Sequence, residues 1–436
     1  MSYLNRRAFL SASTAAGIAV ALSACGGDSE EDAEVITEGQ LSGEVTLTTW
    51  GSDNEIAAFE KIAADFKTQR GASVRVEVLP YDQMRTVVDR RLQADDAPDL
   101  FRVGYTDING YAKTGVLVEL TDYLDDDFSA QFLPGLWEAC NFEGAPIGVP
   151  HHTDTSALAY NKSHFEKAGI TEVPDTLENA WTWDEFTDVL VKLKEANPGS
   201  SPFAFNYQLF GAYRWFNTLF QGGGTVLTDD FTAANLDTPE ARRALEFTQG
   251  LYTDGLHAPS VLVKRPTYPD AIFPTEKISM IQTGDFLIPS LDEAIGDKFE
   301  WGVTYLPQDA GQAADLGGNA VVVTEQAKNK GAAIEFAKFL VTKENMQYFC
   351  EQTTVLPVRE DLVEAKLAYA SRPDLMPVFQ QQATTMPEAL IKTSVLAGFP
   401  AINQALIDNM DQYLSDPAAT TDSVVQGLTS SIENAL

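Results

Sequence analysis

The chain has 436 residues, of which 44% are hydrophobic, and carries 63 acidic against 30 basic side chains, for a formal net charge of −33. A chain of this length exceeds one hydrophobic core of ordinary size and suits two lobes. The negative charge argues against nucleic acid, anionic lipid headgroups and polyanions as partners, because all of them would be repelled. It also keeps a protein soluble in strong salt, so a halophile and a Gram-positive bacterium both remain as sources.

The first 25 residues contain two patterns that are typical of exported bacterial lipoproteins. The pair Arg6-Arg7 resembles a twin-arginine export signal, and an uncharged run rich in Ala and Ser follows. The run ends in LSAC, which resembles a lipobox, so we expect residues 1–24 to be cleaved and Cys25 to carry a diacylglycerol. The alternative is a membrane anchor with an incidental cysteine, although such an anchor would be richer in Leu, Ile and Phe. The mature protein is therefore expected outside the cytoplasmic membrane, on a lipid tether.

The segment that follows the lipobox differs from a folded domain in its composition. Residues 25–44 are rich in small and acidic side chains and contain no aromatic residue. Such a segment lacks the apolar surface that a packed core requires. It predicts a flexible acidic spacer between the lipid and the folded part of the chain.

Two further cysteines, Cys140 and Cys350, lie far apart in the sequence. In an oxidising compartment they would form either one disulfide or two separate buried thiols. Neither has a histidine beside it, so the pair does not predict a zinc site.

The folded part begins with strands and helices in alternation. Val45–Trp50 alternates apolar residues with Thr and predicts a strand. A helix follows as far as Gly71, with Ser52 and Glu55 at the spacing of a capping box. The next predicted elements are a strand at 74–78, a helix around 84–92 and a strand at 100–103.

This order of elements is typical of a parallel α/β sheet. Ligands of such sheets bind beyond the carboxyl ends of the strands, which places residues 50–54 and 104–109 at the mouth of the predicted site. No Gly/Ser linker divides the chain, so two lobes would be joined by structured strands. Later in the chain the sequence predicts helices at 183–196, 239–253 and 331–349 and strands at 278–281 and 320–323.

Several short motifs follow one another in an order that has a known parallel. They are Ala97-Pro98-Asp99-Leu100-Phe101, the segment 109–120, Gly148-Val149-Pro150, the segment 159–169, Trp183-Asp184-Glu185-Phe186, Gly284-Asp285-Phe286, Gly317-Gly318-Asn319 and Leu356-Pro357-Val358-Arg359. In this order and spacing they resemble the extracellular solute-binding proteins of ABC importers, in the branch that binds sugars and oligosaccharides. The resemblance covers nearly all of residues 41–410, and Phe286 stands where that family commonly has Trp.

The resemblance implies an α/β fold of the periplasmic-binding-protein type with two lobes. Each lobe would be a mostly parallel sheet flanked by helices, and the ligand cleft would lie between the lobes. By resemblance, lobe one comprises residues 41–148 and 290–330, and lobe two comprises 149–289 and 331–436. Lobes of this kind are joined by two or three crossing strands, which agrees with the missing linker.

A receptor for sugars needs aromatic planes for the ring faces and polar groups for the hydroxyl edges. Trp50 follows the first strand and is either such a plane or a core tryptophan. Asp53 and Asn54 either contact the sugar or cap the following helix. By resemblance, the loop after the third strand also lines the cleft, unless it is a solvated turn. Its candidate residues are Tyr105, Thr106 and Asp107.

Asp154 is the strongest single candidate, because the resembled family commonly has an acidic ligand contact six residues before the motif that begins at Tyr160. We expect its carboxylate to face water when the cleft is open. The neighbouring His151 and His152 are residues of a type that binds metals, but adjacent strand residues point to opposite faces. The sequence therefore predicts no metal site.

The remaining candidates rest on the resemblance. Tyr213 and Trp215 lie in an aromatic-rich segment that corresponds to the wall of the second lobe, although half of that segment must be core. Glycines in the other motifs would let the backbone approach the ligand, or would simply form turns. These further candidates are Asp285, Phe286, Gly317, Gly318 and Phe399.

The favoured interpretation is a membrane-tethered, monomeric sugar receptor that works without a cofactor and delivers its ligand to an ABC-type permease. One alternative is a binding protein for another solute, such as a polyamine or a peptide. A second is an exported glycoside hydrolase, which would need two carboxylates at a defined separation. No Gly-x-Ser-x-Gly or His-Glu-x-x-His motif supports other hydrolytic chemistry.

Overall fold

The computed structural model describes residues 41–207, 210–265 and 268–436. The predicted signal peptide 1–24, the lipidation site Cys25 and nearly all of the predicted spacer lie outside the described residues.

Strands and helices alternate along most of the described chain. The strands are β1 (Glu44–Thr49), β2 (Ser73–Val78), β3 (Leu100–Gly104), β4 (Asn141–Phe142), β5 (Ala145–Pro146), β6 (Val149–His152), β7 (Ser156–Asn161), β8 (Ser201–Ala204), β9 (Ile278–Gly284), β10 (Trp301–Thr304) and β11 (Asn319–Val323). The strands predicted at 45–50, 74–78, 100–103, 278–281 and 320–323 are all present, and the first ends one residue before the predicted end.

The helices differ widely in length. The first nine are α1 (Asp53–Arg70), α2 (Tyr81–Gln93), α3 (Tyr105–Ala112), α4 (Asp126–Ser129), α5 (Pro134–Glu138), α6 (Lys162–Lys167), α7 (Trp183–Ala196), α8 (Phe216–Gln221) and α9 (Pro239–Thr253). The others are α10 (Pro269–Ile272), α11 (Ile288–Ile295), α12 (Lys330–Leu340), α13 (Lys343–Thr353), α14 (Glu360–Val363), α15 (Met376–Ala383), α16 (Glu388–Ser394), α17 (Phe399–Ser415) and α18 (Thr421–Glu433). Short 3₁₀ helices occur at Leu177–Asn179, Gly211–Trp215, Phe273–Thr275 and Asp285–Leu287.

Local capping signals explain where several of these helices begin. Ser52 and Glu55 form the predicted capping box of α1, and Thr182 and Glu185 form another at the start of α7. The side chain of Asn161 accepts a hydrogen bond from the backbone N–H of His164 and so caps α6. The helix predicted over 331–349 is wrong as a single element, because extended backbone at Thr342 separates α12 from α13.

Two mixed sheets organise the described residues. The first has the strand order β2-β1-β3-β11-β6 and the second has the order β10-β7-β9-β8, while β4 and β5 form a separate hairpin. Within the first sheet every strand runs in one direction except β11, and within the second every strand does so except β7. The prediction of mostly parallel sheets flanked by helices is therefore confirmed.

The two reversed strands mark where the chain passes between the sheets. β7 follows β6 of the first sheet after residues 153–155, and β11 follows β10 of the second sheet after residues 305–318. Each crossing leaves one sheet at the carboxyl ends of its strands and enters the other at the same edge. A strand that enters at that edge must run against its neighbours, so the reversal follows from the crossing.

The sheet pairing assigns some segments differently from the lobe ranges that the sequence suggested. β6 pairs with β11 in the first sheet, although residues from 149 onward were expected in lobe two. β10 pairs with β7 in the second sheet, although 290–330 was expected in lobe one. Helix α13 packs on α1, beside the first sheet. The differences arise because backbone pairing continues up to each crossing, which short motifs do not mark.

Hydrophobic side chains fill the space between each sheet and its helices. Phe59, Ile62 and Phe66 of α1 are fully buried, and Phe66 packs against Phe336 of α12 with ring centroids 5.1 Å apart. Among the described residues no single helix has the length and hydropathy to cross a bilayer; α16 and α17 meet those criteria only as a pair bent by 98°.

The sequence left open whether Cys140 and Cys350 form a disulfide or are separate buried thiols. In the structure both are free thiols and both are buried. Burial raises the pKa of both thiols well above the ordinary value. Both side chains are shielded from water and lack the thiolate that reacts with disulfide reagents.

This arrangement predicts the outcome of a thiol titration. In the full chain with Cys25→Ser, which retains only these two cysteines, we expect no reaction with a disulfide reagent under native conditions, because neither buried thiol is ionised or accessible. Two thiols per chain should react in guanidinium chloride without a reductant. Finding none under those conditions would mean that the two cysteines are bonded.

Candidate functional site

A cavity of about 730 Å³ lies between the two sheets, at the carboxyl ends of their strands. This is the edge at which strand order predicts a site. Nine of the fourteen predicted ligand residues line it: Trp50, Thr106, Asp107, Asp154, Tyr213, Phe286, Gly317, Gly318 and Phe399.

Asp53 and Asn54 lie outside this cavity. Both occupy the first turn of α1 and are exposed to solvent. The preceding Ser52 caps the helix, so the alternative that Asp53 is the cap is also wrong. An acidic side chain in the first helical turn remains favourable, because it lies near the positive end of the helix dipole.

Three other predicted residues are buried behind the cavity wall. The hydroxyl of Tyr105 donates to the backbone oxygen of His152 at 3.1 Å. Trp215 is a core side chain whose indole N–H donates to the Thr248 hydroxyl at 3.0 Å. Asp285 is fully buried, and one of its carboxyl oxygens accepts the backbone N–H of Phe286 at 3.0 Å. These side chains support the wall rather than face the cavity.

Trp50 forms part of the first wall and is held there by Arg102. The Arg102 guanidinium lies 4.6 Å from the centre of the indole ring and donates to the Trp50 backbone oxygen at 2.8 Å. Glu55 pairs with the same guanidinium at 2.8 Å. Tyr81, at the start of α2, packs against the indole with ring centroids 5.4 Å apart. Two aromatic rings thus line this side of the cavity in fixed positions.

The opposite wall repeats this combination of aromatic rings and a buried arginine. The Arg214 guanidinium lies 5.1 Å from the centre of the Tyr213 ring and 5.9 Å from that of Phe286. Its Nε is 3.5 Å from a carboxyl oxygen of Asp315, which is fully buried and also accepts a hydrogen bond from Asn217 at 2.8 Å. Each wall therefore has an arginine that lies against aromatic rings and forms an ion pair with a buried or partly buried carboxylate.

Asp154 lies in the crossing between β6 and β7 and is only 7% exposed. The second crossing packs over it, since the backbone N–H of Gly317 donates to the Asp154 backbone oxygen at 3.1 Å, while its side chain lines the cavity. The expectation that the carboxylate faces water applies to an open cleft and stays a prediction. No described residue donates a hydrogen bond to its carboxylate or forms an ion pair with it. Burial raises the pKa of Asp154 to about 6, although Arg214 lowers it.

Asp285 lies close behind Asp154, and the charges of the two carboxyls influence each other. Burial, reinforced by the charge of Asp154, raises the pKa of the Asp285 carboxyl well above its ordinary value. Its second carboxyl oxygen has no hydrogen-bond partner among the described residues. Burial and the neighbouring charge of Asp154 therefore both favour the neutral form of the Asp285 carboxyl.

Gly317 and Gly318 allow the second crossing to pass tightly over the first. A Cβ on Gly317 would lie 1.9 Å from Oδ1 of Asp154, and one on Gly318 would lie 2.3 Å from the backbone oxygen of His152. Gly318 also has a φ of +99°, a conformation that side chains other than glycine disfavour. Both positions require glycine for close approach, and both line the cavity.

Both histidines of the pair are buried, and His152 also lines the cavity. His151 packs between Phe59 and Phe349, with ring centroids 5.3 and 4.4 Å away, and its pKa is lowered to about 3 by burial. His152 contacts Arg102 and Asn319 and is also buried. Within the described part of the chain, no three His, Cys, Asp or Glu side chains form a group that could hold a metal ion.

Sequence reasoning missed several residues of the site. Arg102 had a visible signal, since an arginine inside a four-residue apolar strand must be buried with a partner. Arg214 had a weaker signal, the surrounding aromatic residues. Nothing local marked the others, because they come from distant elements: Glu55, Tyr81, Phe210, Asp315 and Asn403.

The two-sheet architecture with a cavity at the crossings defines a two-lobe binding protein of the periplasmic type. Solved structures of that type superpose on this chain. A Listeria monocytogenes ABC substrate-binding protein in complex with cycloalternan has a TM-score of 0.78 and 22% identity, covering 90% of this chain and 98% of the other. The GacH receptor of Streptomyces glaucescens, studied with acarbose, has a TM-score of 0.78 and 21% identity, covering 91% and 99%.

Residues 50–347 match the profile of the family described as bacterial extracellular solute-binding protein. The chain belongs to this family, as its motifs indicated, and an extracytoplasmic location follows from that membership. A curated relative, the diacetylchitobiose binding protein DasA of Streptomyces coelicolor, is 26% identical over 377 residues, which cover 82% of this chain and 83% of the relative.

The contact between the crossings predicts a specific effect of Gly317→Ala. The added methyl group meets the Asp154 carboxylate, so we expect a loss of about 1–3 kcal/mol in the free energy of unfolding, as for other overpacked sites. The matched control is Gly311→Ala in the same crossing, where a Cβ has open space. Urea unfolding of both variants measures the difference. Equal stability of the two would contradict the packing described.

The raised pKa of Asp154 predicts a pH dependence of stability in the absence of solute. At pH values between the ordinary pKa of an aspartate and about 6, Asp154 holds a proton in the folded chain and releases it in the unfolded chain. The stabilising contribution of this group is thus complete below the ordinary pKa and is lost as the pH rises through about 6.

When the pH rises from 4.5 to 7, we therefore expect the free energy of unfolding to fall less in the Asp154→Asn variant than in the unmodified protein. Denaturant unfolding at the two pH values measures this, and Asp53→Asn, which removes an exposed charge, should keep the original dependence. An unchanged dependence in Asp154→Asn would show that its carboxyl titrates in water.

Proposed function

We propose that this protein is a membrane-tethered carbohydrate receptor that captures a sugar in the cavity and delivers it to an ABC-type permease. The observation that carries the proposal is the buried carboxylate of Asp154, which faces a cavity lined by aromatic rings and has no partner in the described protein. A carboxylate that lines a cavity and has no donor from the protein can accept hydrogen bonds from a bound solute.

The chemistry of the walls suits a sugar. Aromatic rings from both sheets can stack on the apolar faces of sugar rings, and carboxylate and amide groups can accept or donate at the hydroxyl edges. Trp50 and Tyr81 lie on one wall, and Tyr213 and Phe286 on the other. The carbohydrate ligands named for the relatives above support the same assignment.

Capture and release follow from the position of the cavity. A solute that touches both walls interacts best when the walls are close together, so binding favours a closed arrangement of the lobes. The crossing segments are the points about which such closure would occur. No covalent chemistry is required, and we interpret the protein as a monomeric receptor rather than an enzyme.

Replacing Asp154 tests the proposal directly. Asp154→Ala removes the acceptor of two charge-assisted hydrogen bonds, each worth about 1.5–3 kcal/mol, so we expect carbohydrate affinity to fall at least ~100-fold. Calorimetric titration with sugars found in a thermal-shift screen measures this. The control Asp53→Ala lies outside the cavity and should leave affinity unchanged.

Two outcomes would contradict the proposal. Equal affinities of Asp154→Ala and the unmodified protein would remove Asp154 from the site. Release of reducing ends from an oligosaccharide during the titration would favour an exported glycoside hydrolase.

The tether is tested separately. In Cys25→Ser the lipid acceptor is lost, so we expect the protein to lose incorporation of labelled fatty acid and to leave the membrane fraction, or to persist as uncleaved precursor. Immunoblots of membrane and soluble fractions measure this. A cleaved, membrane-bound Cys25→Ser protein would contradict lipidation at this cysteine.

A further inference from the structure

The arginines that line the cavity are already paired with acids. Of the described residues, three arginines line it, and each has a carboxylate partner within 4 Å. The pairs are Arg85–Asp107 at 3.5 Å, Arg102–Glu55 at 2.8 Å and Arg214–Asp315 at 3.5 Å.

Asp154 is the exception among the charged groups of this wall. It is more than nine-tenths buried and lines the cavity, yet no described arginine, lysine or histidine lies within ion-pair distance of its carboxylate. Neighbouring Asp315, by contrast, forms an ion pair with Arg214 and accepts a hydrogen bond from Asn217.

The charged groups with the largest effect on Asp154 sum, together with Asp154 itself, to a negative charge. Arg214 and Arg102 contribute two positive charges, while Asp315, Glu55 and Asp154 itself contribute three negative charges. Burial favours the neutral form of Asp285 behind them. One negative charge is left over at the cavity wall, where a carboxylate that is more than nine-tenths buried gains from an opposite charge.

We propose that the solute is a carbohydrate carrying a protonated amino group, and that this group pairs with Asp154. The inference rests on the proposed function and names the class of sugar. Hydroxyl groups can donate hydrogen bonds to the carboxylate but leave its charge unbalanced. An ammonium group donates hydrogen bonds and also balances the charge. The net charge of −33 also attracts a cationic solute and repels anionic sugars such as phosphorylated ones.

The test uses three disaccharides with the same β-1,4-linked glucose skeleton. They differ only at C2, which bears a hydroxyl in cellobiose, an acetamido group in N,N′-diacetylchitobiose and an ammonium group in the glucosamine dimer. Affinities for the unmodified full-length protein are measured by calorimetry at pH 7, with spermidine as a cation without sugar rings. We expect the glucosamine dimer to bind at least tenfold tighter than both neutral sugars.

Two variants assign that preference to one carboxylate. Asp154→Asn keeps the shape of the side chain and removes its charge, so it should bind all three sugars within about threefold of one another. Asp53→Asn removes an exposed charge outside the cavity and should keep the full preference. The ranking with the unmodified protein stands even if Asp154→Asn fails to fold.

The outcomes separate this inference from the proposed function. If a neutral sugar binds as tightly as the glucosamine dimer, or only neutral sugars bind, the inference is overturned and the receptor function stands. If spermidine binds and no sugar does, both are overturned. A preference that survives Asp154→Asn would overturn the assignment to this carboxylate.

Discussion

The contact between two crossing segments determines the geometry of this protein. Residues 153–155 and 305–318 carry the chain between the sheets, and Gly317 lies against Asp154 where they meet. A second hydrogen bond, from the Thr153 hydroxyl to the Gly317 backbone oxygen at 3.1 Å, joins them. The same contact buries a carboxylate at the floor of the cavity. The connection between the sheets and the chemistry of the site therefore depend on the same contact, between Gly317 and Asp154.

Local signals were sufficient to predict most individual elements. Alternation at 45–49, the capping residues Ser52 and Thr182 and the apolar spacing of α7 are short-range patterns, and the structure has each of them. The lobe ranges were less accurate because sheet membership depends on pairing partners more than a hundred residues away, as for β10 and β7. The break between α12 and α13 was missed because no Pro or Gly marks Thr342.

The lining of the cavity was predictable where a strand ends, as at Trp50, and where a family motif occurs, as at Asp154 and Phe286. The sequence could not predict which side chains of a segment pack in the core and which ones line the cavity. Trp215 and Tyr213 are two residues apart, yet one packs in the core and the other lines the cavity. Arg102 and Glu55 meet only after folding. Their pairing fixes the orientation of Trp50, which no spacing in the sequence records.

The reversed strand β11 has a consequence for how the chain acquires its structure. It lies in the middle of the first sheet, between β3 and β6, but its residues are made more than 160 positions after those of β6. Until residue 323 has left the ribosome, β3 and β6 have no partner on their facing edges, and unpaired edges invite aggregation. Folding of the amino-terminal half must therefore wait for the carboxyl-terminal half, whatever the stability of its own helices.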